Sequence, residues 1–139
     1  MGPTDLKIGA AALAALMILG GCGPAGKGAG PADRFAGLDG EILRWRGEIL
    51  AHDPLCRSKV EGQTCVDFEV ACKAQRTVTA ADQARGVTGR VVAAISWNGF
   101  DAKFKQAQRG AKTAEFAKAA SGWTRTDHAP VSLSTCADL

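Results

Sequence analysis

Five cysteines, two histidines and one acid-free basic run are the groups in this 139-residue chain whose chemistry goes beyond packing. Cys22 stands alone near the beginning, while Cys56, Cys65, Cys72 and Cys136 fall in the remainder. Eight residues separate Cys56 from Cys65 and six separate Cys65 from Cys72. Those gaps match no zinc knuckle and the chain has no Cys-x-x-Cys, so the reading is no metal and no dithiol redox centre. His52 precedes Asp53 and His128 follows Asp127, but adjacency in sequence does not bring side chains into contact. Nothing else completes a base–nucleophile pair around either imidazole, so the expectation is no catalytic residue, no cofactor and no enzyme. Lys103, Lys105, Arg109 and Lys112 follow one another with no acid between them. Such a run either meets an anionic surface or keeps a strand face solvated and its edge unpaired; the second reading is the commoner one. Together with Trp97 and Trp123, these four cations are the candidate contacts for a ligand or partner.

Ile8 to Leu19 is an uninterrupted apolar run of twelve residues. A membrane-spanning helix needs roughly 20, whereas twelve is the length of a signal-peptide apolar region. Leu19-Gly20-Gly21-Cys22 follows at once. This segment resembles the lipobox of bacterial lipoprotein precursors: a Leu, two small residues, then the Cys that is modified. The resemblance implies cleavage before Cys22, a diacylglyceryl group on its sulfur and acylation of the new amine. Each buried CH₂ contributes about 0.8 kcal/mol, so two or three acyl chains anchor durably where one would not. Residues 1–21 are then a signal peptide, and residues 22–31 a lipidated Cys with a Gly- and Pro-rich flexible tether. A tether of nine residues spans on the order of 15–18 Å root-mean-square. Gly23, where an Asp would favour inner-membrane retention, points by the same resemblance to the outer membrane. The implied address is the cell envelope, facing the periplasm.

With Cys22 assigned to the anchor, four cysteines remain, and an even number in an exported small domain reads as two disulfides. Cys65 and Cys72 fall on one strand-like segment, roughly 23 Å apart at strand rise, and cannot bond to each other. Cys56 and Cys65 flank a short polar loop containing Gly62 that closes easily. The favoured set is Cys56–Cys65 with Cys72–Cys136, ahead of Cys56–Cys72 with Cys65–Cys136.

The elements that must carry these residues are read from periodicity. Phe35, Leu38, Ile42, Trp45 and Ile49 recur at steps of three and four, one stripe of a helix over Ala32–His52 that Asp33 opens and Asp53-Pro54 stops. Between Cys65 and Arg76 the residues Val66, Phe68, Val70, Cys72 and Ala74 alternate with polar ones, a half-buried strand. Thr79 to Asp82 followed by Gly86 reads as one capped helical turn. Asn98-Gly99 between two apolar runs predicts a two-residue hairpin turn that pairs Trp97 with Phe100, Ile95 with Ala102 and Ala93 with Phe104. Thr113–Ala120 is expected as a short helix ending at Ser121-Gly122, with strands at Trp123–Thr126 and Val131–Thr135.

The sum is one α+β domain, 32–139: an N-terminal amphipathic helix on a four- to five-stranded antiparallel sheet, stapled by two disulfides. The 118 residues that follow position 21 suffice for one domain and not two. A formal net charge of +3 is too mild an excess for a nucleic-acid binder. The leading functional expectation is a non-enzymatic envelope lipoprotein, held to the membrane through Cys22, that binds a protein partner or stabilises an envelope assembly. The alternative is a binder of a small ligand or envelope polymer using an aromatic cleft.

Overall fold

The computed structural model of the chain describes residues 35–57 and 64–139. The expectations placed on the signal peptide, Cys22, the tether, Asp33 and Gly62 lie outside the described residues. In chain order the elements are α1 (Leu38–His52), β1 (Val66–Arg76), α2 (Ala80–Ala84), β2 (Gly89–Asp101), β3 (Gln106–Ala119) and β4 (Gly122–Asp127). The strands form one antiparallel meander in the order β1-β2-β3-β4. Helix, four-stranded antiparallel sheet and two disulfides are thus the architecture.

The apolar stripe makes α1: Leu38, Ile42, Trp45 and Ile49 are all buried against the sheet. Phe35 does not belong to it, being outside the helix and 42% exposed. The helix begins three residues later because Gly37 takes a left-handed φ of 84°, which breaks the helical run. Asp39 and Glu41 in the first turn complement the positive end of the helix dipole. At the other end Pro54 forces Asp53 into extended geometry, with φ −71° and ψ 133°.

β2 is the centre of the molecule, and every residue from Val91 to Trp97 is buried. Val91, Ala93, Ile95 and Trp97 meet α1, together with Ala114 and Phe116 of β3. Val92 and Ala94 point the other way and are covered by Val131 and Cys136 of the C-terminal segment. Burying one such side chain contributes about 1.5–3 kcal/mol, so each cover adds substantially to a fold of this size.

Four expectations are corrected here. The hairpin turn is not at Asn98-Gly99: β2 runs through both, with Asn98 opposite Arg109 and Gly99 opposite Gln108. Gly99 serves close approach instead, since a Cβ there would lie 2.7 Å from Leu55 Cβ and 3.2 Å from Cys65 Sγ. Asn98 spends its side chain on Asp67, donating from Nδ2 at 3.0 Å. The turn falls at residues 102–105, where Asp101 Oδ1 accepts from the Lys103 and Phe104 amides and Lys105 takes a φ of 52°. Phe104 is therefore a 64% exposed turn residue, not a partner of Ala93.

The second correction is Thr113–Ala120, which is not helix: residues 113–119 are strand and Ala120 enters the turn to β4. The full-length register with β2 and the alternate burial of Ala114 and Phe116 override the helix preference of its alanines. Third, β1 does not keep one apolar face. An extra residue between Val70 and Cys72 shifts the register, so Phe68 packs with α1 while Cys72 and Ala74 pack with the C-terminal segment. Fourth, Val131–Thr135 forms no strand. It is a turn whose only ladder is the single bridge Val131–Asp138, closed by the Cys136 amide donating to Ser132 O at 2.7 Å.

α2 carries the capping box that its sequence announces: the Thr79 side chain accepts from the Asp82 amide, and Asp82 accepts from the Thr79 amide at 2.9 Å. The Thr79 amide and hydroxyl, with Arg85 and Arg90, hold the Asp82 carboxyl at a pKa of about 2.

Two predictions follow from close packing and from this carboxylate. Gly99→Ala is expected to destabilise by about 1–3 kcal/mol through overpacking, whereas Gly47→Ala, in a helix with open space at Cβ, stabilises by about 0.5–1 kcal/mol. Urea denaturation of the two variants measures both signs. Because the folded Asp82 pKa lies below its ordinary 3.8, its contribution is full above about pH 4 and is lost as pH falls towards 2. Asp82→Asn should therefore be less stable than the parent at pH 6, with the difference shrinking between pH 4 and pH 2.

Candidate functional site

β3 has fourteen residues and β4 only six, and the mismatch creates the site. β4 pairs with β3 from Ala119 back to Ala114 and stops at Asp127. Beyond that point the chain leaves the sheet at His128-Ala129-Pro130, and no described strand pairs with the outer edge of β3 from Gln106 to Thr113. The last contact is the His128 amide donating to Thr113 O at 3.1 Å. α1 stands on one side of this edge and the C-terminal segment on the other. Between them lies a cleft of about 560 Å³ with Ala111, Lys112 and Thr113 along its base.

One wall is the last two turns of α1, with Trp45, Glu48, Ile49 and His52. The other is Pro130, Val131 and Leu133. Arg125 holds the first wall to β4: it bonds Glu48 and lies 5.8 Å from the Trp45 ring centroid. Its hydrogen bond keeps the Glu48 carboxyl below the usual carboxylate range. Lys112 pairs with Asp53 at 3.2 Å, and Asp53 also accepts from the Leu55 amide, fixing the chain as it leaves α1.

The second wall depends on the disulfide Cys72–Cys136, with a Cα separation of 5.6 Å. Arg76 reinforces it, donating to Cys136 O and to Asp138 Oδ1, each at 2.8 Å. The other disulfide, Cys56–Cys65, joins the end of α1 to the start of β1 with Cα atoms 4.7 Å apart. All four described cysteines are bonded, in the set that loop length and strand geometry favour.

Both histidines, from opposite ends of the domain sequence, line this one cleft. Nδ1 of His128 lies 2.7 Å from Ala129 O, and because a carbonyl oxygen only accepts, that nitrogen is the donor. Nε2 then faces Asp138 Oδ1 at 3.9 Å. Among the described residues no hydroxyl is hydrogen-bonded to either imidazole, and the nearby Ser132 hydroxyl is engaged with Ser134 at 3.0 Å. No three described His, Cys, Asp or Glu side chains gather as a metal site.

The tryptophans and cations singled out by sequence are dispersed. Trp97 is 2% exposed in the core, stacked on Phe68, and a Cβ on Gly110 would clash with its ring, lying 2.6 Å from Cζ2 and closer still to Cε2. Trp123 is half-buried and donates from Nε1 to Ala36 O at 2.8 Å, tying down the turn before α1. Trp45 borders the cleft instead, itself only 3% exposed. Lys103 and Lys105 sit in the β2–β3 turn. Arg109 bonds Ser96 Oγ at 2.9 Å on the face of the C-terminal segment, whereas Lys112 reaches Asp53 on the helix face. They share a strand edge and not a face. Sequence reasoning missed Glu48, Arg125, Pro130 and Leu133; of the cleft residues, only Trp45 with Ile49 on the helical stripe and the adjacent Asp127 and His128 were marked as neighbours.

No family model matches the chain, nor does any curated protein or solved structure. The functional argument therefore stands on this geometry.

The two disulfides close loops of unequal length, with sequence separations of 64 and 9. Loop-closure entropy predicts that Cys72→Ala/Cys136→Ala lowers stability by about 4 kcal/mol and Cys56→Ala/Cys65→Ala by about 2.6 kcal/mol. Urea midpoints of the two double variants, compared at equal slope, test that order.

Proposed function

We propose that this protein is a lipid-anchored, non-enzymatic lipoprotein of the bacterial envelope whose cleft docks a partner protein. The observation that carries the reading is the open edge of β3 between two disulfide-secured walls. An unpaired strand edge is a template for another chain, and soluble domains usually blunt or cover it. Here Leu133, 37% exposed, is the apolar wall residue open to solvent beside it, backed by the buried Ile49 and Val131. Two disulfides accord with an oxidising compartment, where such bonds persist. Membrane attachment rests on the lipobox-like Leu19–Cys22 and on the resemblance already given, and the outer membrane is favoured by Gly23.

A second reading has an observation of its own. The cleft volume of about 560 Å³ is within the range of small-ligand pockets, roughly 300–1,000 Å³. An envelope polymer or small ligand held in this cleft is the alternative occupant.

Intact-mass analysis of protein extracted from membranes tests the anchor: the expected species begins at Cys22 and carries acyl mass, and an unmodified Cys22 contradicts it. Co-purification from detergent-solubilised envelopes tests the docking. Leu133→Asp should reduce the captured partner at least fivefold while changing stability by no more than about 0.5 kcal/mol, as an exposed substitution does. Equal capture by both proteins contradicts the assignment of the cleft.

A further inference from the structure

The outer edge of β3 is specific about what fits it. Thr113 directs its C=O outward, to the His128 amide, while Lys118 directs its C=O inward, to the Thr88 amide beside β2. Odd-numbered residues of β3 therefore present their backbone groups to the β4 side, and even-numbered ones to β2. The register with β2 is unbroken from Gln106 to Lys118, so the alternation holds along the whole strand. Ala107, Arg109 and Ala111 consequently offer N–H and C=O groups to an edge that no described strand occupies, and all three residues are exposed. This row continues the line of β4 after β4 has stopped.

The charge along the edge has one sign. From Ala102 to Ala114 the chain carries Lys103, Lys105, Arg109 and Lys112 and no acid. Among the described residues Lys103 and Lys105 have no ion-pair partner, and the nearest approach of Arg109 to a carboxylate is 3.9 Å, to Glu69. At the cleft end the same edge runs between Ile49 on one side and Val131 and Leu133 on the other.

We propose that an extended, acidic peptide segment of the partner adds to the sheet as a strand along Ala107–Ala111, extending the line of β4. Its backbone pairs with the outward groups of Ala107, Arg109 and Ala111, its carboxylates meet Lys105 and Arg109, and one bulky apolar side chain at its end enters the cleft. Strand addition of this kind draws affinity from the backbone and specificity from alternate side chains. The proposal rests on the docking reading above and names its chemistry.

Amide exchange on the full mature protein, in detergent, tests it with three synthetic nine-residue peptides. One alternates Val and Glu, one alternates Val and Lys, and one is the Val/Glu peptide N-methylated at alternate residues. The Val/Glu peptide should slow exchange at Ala107, Arg109 and Ala111 at least tenfold, and the other two should leave it unchanged. Protection by the N-methylated peptide equal to that by its parent overturns strand pairing, and protection by the Val/Lys peptide overturns the acidic preference. No protection by any of the three overturns the proposal. Ala111→Pro removes an outward N–H without touching the β2 ladder and should abolish the effect. Lys105→Glu/Arg109→Glu, a surface change that leaves the backbone intact, should weaken the Val/Glu peptide at least tenfold and serves if the proline variant misfolds. If envelope co-purification yields a partner equally with wild type and both variants, docking stands and strand addition fails. If wild type yields none, the docking reading fails, and the peptides alone decide the edge. Self-association through the same edge would appear as protection that depends on protein concentration without peptide, and would replace the partner by a second copy.

Discussion

The burial of β2 on both faces is the constraint from which the rest of the structure follows. A meander of four strands with one helix ordinarily packs one face and wets the other. Here Val92 and Ala94 are as deeply buried as Val91 and Ile95, so the sheet needs a cover on each side. α1 covers one face through a regular stripe. The other is covered by the short C-terminal segment, which has no helix or strand of its own and holds its place by a disulfide, two bonds from Arg76 and two buried side chains, Val131 and Cys136. Each cover is tied to β1 or its start by one cysteine pair. The register shift in β1 turns Phe68 to the helix face and Cys72 and Ala74, two and three alternations on, to the other.

The site is a by-product of that arrangement. To reach the second face the chain must leave the sheet after Asp127, which shortens β4 and exposes the edge of β3. The same departure swings His128, Pro130 and Val131 around that edge to face α1. Arg125 and Lys112, which pair with Glu48 and Asp53, then secure the helix over the gap. A cover segment needed for burial thus becomes one wall of a cleft.

What could be read from the sequence was what depends on short-range spacing. The stripe of α1, the stop at Asp53-Pro54, the capped turn at Thr79–Asp82 and the incompatibility of Cys65 with Cys72 each follow from local geometry. Asn98-Gly99 misled because its two roles, in turns and in tight packing, look alike until Leu55 and Cys65 are placed beside it. Thr113–Ala120 misled because alanine-rich alternation is weak and the ladder to β2 decides the conformation. The cleft was not legible at all. It joins residues 45–52, 111–113, 125–128 and 130–133, segments that only the meander and the Cys72–Cys136 bond bring together.

Native-state hydrogen exchange across a denaturant series tests the central role of β2 most directly. If β2 is the strand both covers protect, the amides of Val91–Trp97 exchange only through global unfolding, with opening free energies equal to the full stability of the domain. The amides of His128, Ser132 and Cys136 should open at lower cost and as a group, since they belong to one cover. Exchange of Val91–Trp97 at or below the opening free energy of that group would contradict the account.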